Sequence, residues 1–149
     1  MKFKVETFPN YRIAYIRRIG PYGPDNIEAM EYIKKWAKEK NLLESATLFA
    51  IPQDRPETTL PDNCRFDACI VIPNDYDVDN SVLEGEILGG KYLVYEVKHT
   101  ADAIQKAYHE IYQSLQSNGY EMDNKPILEK YTGDMTGNPS CEICVPVKP

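Results

Sequence analysis

Tyr11-Arg12-Ile13-Ala14-Tyr15-Ile16-Arg17-Arg18-Ile19, followed by Gly20-Pro21-Tyr22-Gly23-Pro24 and then Asp25-Asn26-Ile27-Glu28, reads as strand, breaker and helix in immediate succession. Ile13, Tyr15, Ile16 and Ile19 are β-formers, and the Gly/Pro cluster stops the strand sharply. Asp25 with Glu28 three residues later resembles a capping box at a helix start. Ile27, Met30, Ile33, Trp36 and Ala37 recur at helical spacing, so the helix runs to about Lys40 with Asn41 as terminator.

Working outward, Lys2 to Phe8 forms a preceding strand that ends at Pro9-Asn10. Downstream, Thr47 to Ile51 is a third strand, stopped by Pro52 and followed by a polar, proline-bearing loop from Gln53 to Asn63. Arg65 to Ile72 is a fourth, with Phe66, Ala68, Ile70 and Ile72 on one face. After the polar linker 73–80 the pattern recurs. A strand at Val82 to Leu88 and a Gly89-Gly90 hairpin turn lead into a strand at Lys91 to Lys98. Thr100 then caps a helix carrying Ile104, Ala107, Tyr108, Ile111 and Leu115, which Asn118-Gly119 closes. A short strand around Glu129 and a last one at Cys141 to Val147 complete the second unit.

The matches between the units keep a nearly constant offset. Tyr15 and Tyr95, like Asp54 and Asp134, lie 80 residues apart; Ala29 and Ile33 precede Ala107 and Ile111 by 78, and Cys69 precedes Cys144 by 75. The chain is therefore expected to be one α+β domain, residues 1–149, built from two internal β-β-α-β-β repeats at about 1–76 and 80–149.

Composition limits the function. A length of 149 residues suits a single domain. A net charge of −6 gives no general attraction to nucleic acid or anionic lipid, so neither direct nucleic-acid binding nor a membrane role is expected. No apolar run approaches the roughly 20 residues that span a bilayer, and the first residues carry no hydrophobic signal segment; the expected compartment is the cytoplasm. Tyrosine is abundant, 11 against 4 Phe and 1 Trp, and joins an apolar body to a polar handle suited to binding surfaces.

Pro126-Ile127-Leu128-Glu129-Lys130-Tyr131-Thr132-Gly133-Asp134 carries the functional signal. Alternation along a strand puts Leu128 and Lys130 on one face and Ile127, Glu129 and Tyr131 on the other. A carboxylate beside a phenol with apolar neighbours suits a pocket for a cationic or aromatic small molecule, or an acid/base site; a solvated Glu on a half-exposed strand is the plainer alternative. At the offset of 80, Phe49 and Ile51 are the counterparts of Glu129 and Tyr131, so the two strands together would enclose a mostly apolar cleft with one acid. Trp36 is a candidate for the same cleft or for the core.

Cys141-Glu-Ile-Cys144 has the spacing of zinc and redox motifs. In a strand, however, residues three apart point to opposite faces, so buried, reduced cysteines are expected and no metal or cofactor is assigned. His99 and His109 belong to no recognisable nucleophilic triad. Asp54 and Asp134 sit in matching turns and read as turn-formers.

Taken together and in order, five segments resemble the GyrI-like small-molecule binding domain, found alone and as the effector-binding half of some AraC-type and MerR-type regulators. They are the 11–17 strand with Gly20-Pro21-Tyr22, Arg65-Phe66-Asp67-Ala68-Cys69, Gly89-Gly90-Lys91-Tyr92, Leu128-Glu129-Lys130-Tyr131 with Asp134, and Cys141 to Val147. A second Gly-Pro-Tyr turn is absent, its place taken by His99-Thr100-Ala101-Asp102. The resemblance implies two βαββ modules about a pseudo-twofold axis, a largely antiparallel sheet with two long helices, and a ligand in the groove between the modules. It assigns Glu129 to cationic ligands and Tyr131 to the aromatic beside them, with Phe49, Ile51, Tyr15, Trp36 and Tyr95 as further candidates. Three roles follow from it: a stand-alone binder that sequesters or senses cationic or aromatic xenobiotics; a hydrolase of strained-ring electrophilic genotoxins, with Glu129 activating water and Tyr112 or Tyr131 assisting; and a protein partner of DNA gyrase, for which Asp75, Asp77, Asp79, Glu84 and Glu86 offer an acidic surface, a solvated linker being the plainer reading of those residues.

Overall fold

The computed structural model describes residues 2–132 and 140–149; Asp134 lies outside them. The strands are β1 (Lys4–Phe8), β2 (Tyr11–Ile19), β3 (Thr47–Pro52), β4 (Arg65–Val71), β5 (Leu83–Ile87), β6 (Gly90–Lys98), β7 (Leu128–Thr132) and β8 (Ser140–Pro146), and the helices are α1 (Asp25–Glu39) and α2 (Ala101–Ser117). All eight strands join one antiparallel sheet in the order β1-β6-β8-β7-β3-β4-β2-β5. The fold is α+β, as the sequence suggested.

The ends of the helices follow local chemistry. Thr100 caps α2, its hydroxyl accepting from the Ala103 N–H at 3.2 Å. The capping box expected at Asp25 does not form. Pro24 holds the cap position, and Asp25 in the first turn accepts instead from Arg18 at 3.1 Å. Asn41 ends α1 in a left-handed conformation, φ 58°.

The pairings hold two findings. First, β5 and β6 are not a hairpin across Gly89-Gly90: among the described residues β5 pairs only with β2, while β6 pairs with β1 and β8. The first strand of each half is thus exchanged, β1 lying against the second half and β5 against the first. Second, Pro9-Asn10 alone links β1 to β2, although five strands lie between them in the sheet. Laid flat, that gap is about 29 Å, and a two-residue link reaches about 11 Å. The sheet must therefore curl until β1 comes close to β2.

The curl gives the sheet two unlike faces. Every strand sends at least one side chain to the face that closes on itself: Phe8, Ile13, Phe49, Cys69, Ile87, Val94, Leu128 and Cys144 form one buried cluster there with Tyr92 and Ile51. Phe8 stacks on Tyr92 with ring centroids 4.6 Å apart. Asp67, the one charged residue buried among the described residues, is held by Arg17 through two bonds of 2.7 and 2.8 Å and by the Gln53 amide at 2.9 Å. The other face carries the helices. α1 buries Met30, Ile33 and Trp36 over β2 and β4, and α2 buries Ala107, Ile111 and Leu115 over β6.

The register also corrects the proposed offset. Across β3 and β7, Ala50 stands opposite Glu129, and Phe49 opposite Lys130. Side chains alternate between faces, so Phe49 and Glu129 project from opposite sides of the sheet, and so do Tyr15 and Tyr95. If the halves are repeats, the ladders set the strand offset at 79, since Tyr15 opposite Cys69 then corresponds to Val94 opposite Cys144.

Candidate functional site

The helices cover the flanks of the sheet and leave its middle, the β3–β7 pair, without a helix on top. A groove of about 1880 Å³ runs between α1 and α2 over that pair, floored by Ala50, Pro52, Phe66, Ile127, Glu129 and Tyr131. Met30 and Ile27 line it from α1, and Ile104, Tyr108 and Tyr112 from α2. Tyr22, from the Gly-Pro-Tyr turn, fixes one end by donating to the Arg65 carbonyl at 2.7 Å.

Glu129 is the one acid on the strand floor. Its two oxygens are taken by two phenols: Tyr108 Oη donates to Oε2 at 2.7 Å, and Tyr131 Oη to Oε1 at 3.1 Å. The second contact follows from strand geometry, because residues two apart share a face; the first requires α2 to lie alongside. Burial raises the pKa of Glu129 above the ordinary carboxyl value, and the two phenol bonds only partly oppose this. Among the described residues no cation pairs with it. Burial likewise drives both tyrosines upward, with the Glu129 charge adding to the shift. The His99 ring leans on Tyr131 with centroids 4.9 Å apart. The Cys141 thiol is pushed up to about 11, first by burial and then by the charge of Glu129. A half-buried carboxylate, satisfied in hydrogen bonding but not in charge, can receive a cation or a proton.

The structure brings together only some of the residues expected here. Glu129 and Tyr131 share the groove floor. Tyr112 lines the groove one turn beyond Tyr108 and is 41% exposed, and its ring carries the Arg55 guanidinium. Phe49, Ile51 and Tyr15 belong to the opposite face of the sheet. Trp36 is core, its indole N–H donating to Asp79 at 3.2 Å. Tyr95 is fully buried under α2, its hydroxyl 3.1 Å from that of Ser114. Cys141 and Cys144 fall in the two different clusters, as strand alternation requires, and all four cysteines are free. Asp79 of the acidic linker is paired with Lys40, and Glu84 with Arg12.

Tyr108 is the residue the sequence reading missed. It lies on the helix among Ile104, Ala107 and Ile111, a setting that reads as core, and only its hydroxyl marks it as different. Tyr108→Phe should leave one oxygen of Glu129 without a donor and move its pKa further up. At neutral pH we expect a stability loss of about 1–3 kcal/mol, shrinking as acid protonates the carboxyl. Urea midpoints at neutral and acid pH test this, and an equal loss at both would show that only packing was removed.

Antiparallel ladders curled over two helices, with an acid in the groove between them, are the architecture of a small-molecule binding type of domain. The chain belongs to the family described as the GyrI-like small molecule binding domain, whose pattern matches residues 1–148. The SPbeta prophage-derived protein YosT of Bacillus subtilis (strain 168) is 37% identical over 149 residues, covering 99% of this chain and all of its own. DNA gyrase inhibitor 2 of Dickeya dadantii (strain 3937) is 28% identical, over 100% of this chain and 97% of that protein. The structure of SAV2435 bound to tetraphenylphosphonium matches with a TM-score of 0.60 at 18% identity, over 99% of this chain and 94% of that one; at that identity the likeness concerns the fold.

Among the described residues no helix is long and apolar enough to cross a membrane.

Proposed function

We propose that the groove binds an aromatic cation, with Glu129 as its counter-charge, and that the protein sequesters or senses xenobiotics of that class. One observation carries the reading: a half-buried carboxylate, without a cationic partner among the described residues, held between two phenols on the floor of a largely apolar groove. A cation entering there meets charge at close range and aromatic faces beside it, in a site partly shielded from water. Tetraphenylphosphonium, the ligand of SAV2435, is of this kind.

The raised pKa supplies a test. Only the ionised carboxylate attracts the cation, so affinity is full at high pH and falls as pH drops through the folded-state pKa. That value lies above the roughly 4.3 of a free Glu, so the loss should begin at a higher pH than a solvated carboxylate would give. Calorimetric titration with tetraphenylphosphonium from about pH 8 down to pH 4 reads it directly. An affinity that is flat across that range removes Glu129 from the site.

The same shift favours one alternative. A carboxylate whose pKa is moved towards neutrality is a better general base. In a hydrolase of strained-ring electrophiles, Glu129 would take the proton of the attacking water and a neighbouring phenol, Tyr108, Tyr131 or Tyr112, would protonate the opened carbon. Mass-spectrometric detection of a water adduct under turnover separates hydrolysis from simple binding.

A further inference from the structure

Four of the five arginines are paired with carboxylates: Arg12 with Glu84, Arg17 with Asp67, Arg18 with Asp25 and Arg65 with Asp54. Arg55 is the exception. Among the described residues it has no carboxylate partner, although Glu57 stands two residues on in the same loop and also lines the groove. Its guanidinium instead reaches from the β3–β4 loop to α2, where its Cζ lies 5.1 Å from the centre of the Tyr112 ring. The loop is built to hold it there. Asp54 is clamped by the Arg65 side chain at 2.9 and 3.0 Å and by the Arg65 N–H at 2.8 Å. The Tyr22 hydroxyl lies 3.0 Å from the Asp54 N–H, and the Arg55 carbonyl accepts from the Thr58 N–H at 3.1 Å.

A guanidinium held over a ring keeps N–H donors for other partners, and a pair of them matches a carboxylate fork to fork. Among the several charges that line the groove, Glu57 and Asp102 included, two are set against aromatic side chains: the acid on its floor, and the Arg55 guanidinium over the Tyr112 ring. Tyr108 contacts the first and Tyr112 the second, and the two tyrosines lie one helical turn apart. We infer that the natural ligand is an aromatic zwitterion, with its cation against Glu129 and its carboxylate against Arg55. The inference rests on the cation-binding reading of Glu129 and adds to it the chemistry of the ligand's other end.

A matched pair of dyes tests it. Rhodamine 19 and its ethyl ester, rhodamine 6G, share one aromatic cation, and only the first carries a free carboxylate. By fluorescence anisotropy at low salt, wild type should bind rhodamine 19 about threefold to tenfold more tightly, the range of an exposed but preorganised ion pair. Arg55→Gln should abolish that preference by weakening rhodamine 19 alone. Arg55 is exposed, so the variant should keep the wild-type melting temperature. Glu129→Gln should weaken both dyes alike and leave the preference standing. Equal affinities in wild type, or equal weakening of both dyes by Arg55→Gln, would overturn the zwitterion. A preference that depends on Arg55 while Glu129→Gln changes nothing would keep the anion contact and remove the floor acid from cation recognition. Binding of neither dye would end both readings.

Discussion

Glu129→Gln should lower affinity for an aromatic cation by about tenfold to a hundredfold, the equivalent of losing one charge-assisted contact of roughly 1.5–3 kcal/mol. The change preserves shape, and a phenol that donated to the carboxylate can still donate to the amide oxygen, so a neutral aromatic of the same outline should be affected far less. Stability should move the other way. The folded-state pKa of Glu129 is raised, so between the unfolded value near 4.3 and the raised one the native chain binds more protons than the unfolded chain. Wild type then loses stability as pH rises through that window, and the amide variant does not. At neutral pH the variant should be as stable as wild type or more so, with the advantage gone below about pH 4. Ligand titrations and thermal melts of the two proteins side by side decide the matter. Unchanged cation affinity, for a ligand shown to occupy the groove, would return Glu129 to the role of a satisfied strand acid.

Gly89→Ala should be among the most damaging single changes available, although it adds only a methyl group. A Cβ there would stand 2.2 Å from the Phe8 carbonyl oxygen and 2.6 and 2.7 Å from the carbonyl carbon and oxygen of Pro9. All three are backbone atoms of the crossing β1–β2 link, so no side chain can swing aside. Gly89 is also fixed on both sides, its N–H donating to Asn10 Oδ1 at 2.7 Å and its carbonyl accepting from Lys125 at 2.8 Å. We expect a loss of about 3 kcal/mol or more and a melting temperature lower by roughly 6–12 °C. Gly119→Ala is the control: nothing lies within 4 Å of its Cβ, and its φ of +75° should cost only about 1–2 kcal/mol. Equal losses at the two positions would mean that the crossing links are not packed as tightly as described.

The elements were legible in the sequence because their signals are local. Alternation, Gly/Pro breaks and the 3.6-residue period place all eight strands and both helices within a few residues. Pairing is not local. Gly89-Gly90 between two strand-like runs has the appearance of a hairpin, and only the meeting of Phe8 with Gly90 and of Tyr11 with Ile87 excludes it. The site divides along the same line. Glu129 and Tyr131 could be placed on one face from their spacing alone. Phe49 and Tyr15 were misplaced because their matches, Glu129 and Tyr95, were set one residue out of step, and a one-residue slip moves a strand side chain through the sheet. Tyr108 and Arg55 could not be found this way, since each acquires its partner only when α2 comes to rest beside the sheet.

The exchange of first strands bears on how the chain is made. β1 emerges from the ribosome more than eighty residues ahead of Gly90, where its partner β6 begins. At translation rates of about 5–20 residues per second, it waits roughly 4–16 s. Over the same interval the outer side of β2 stands bare until β5 is made. Unpaired strand edges are templates for other chains, and the nearest other chains are copies of this one on the same message. A neighbouring copy's β6 offers β1 the ladder that its own will later provide. The interlock that joins the finished halves thus leaves nascent chains open to trading strands.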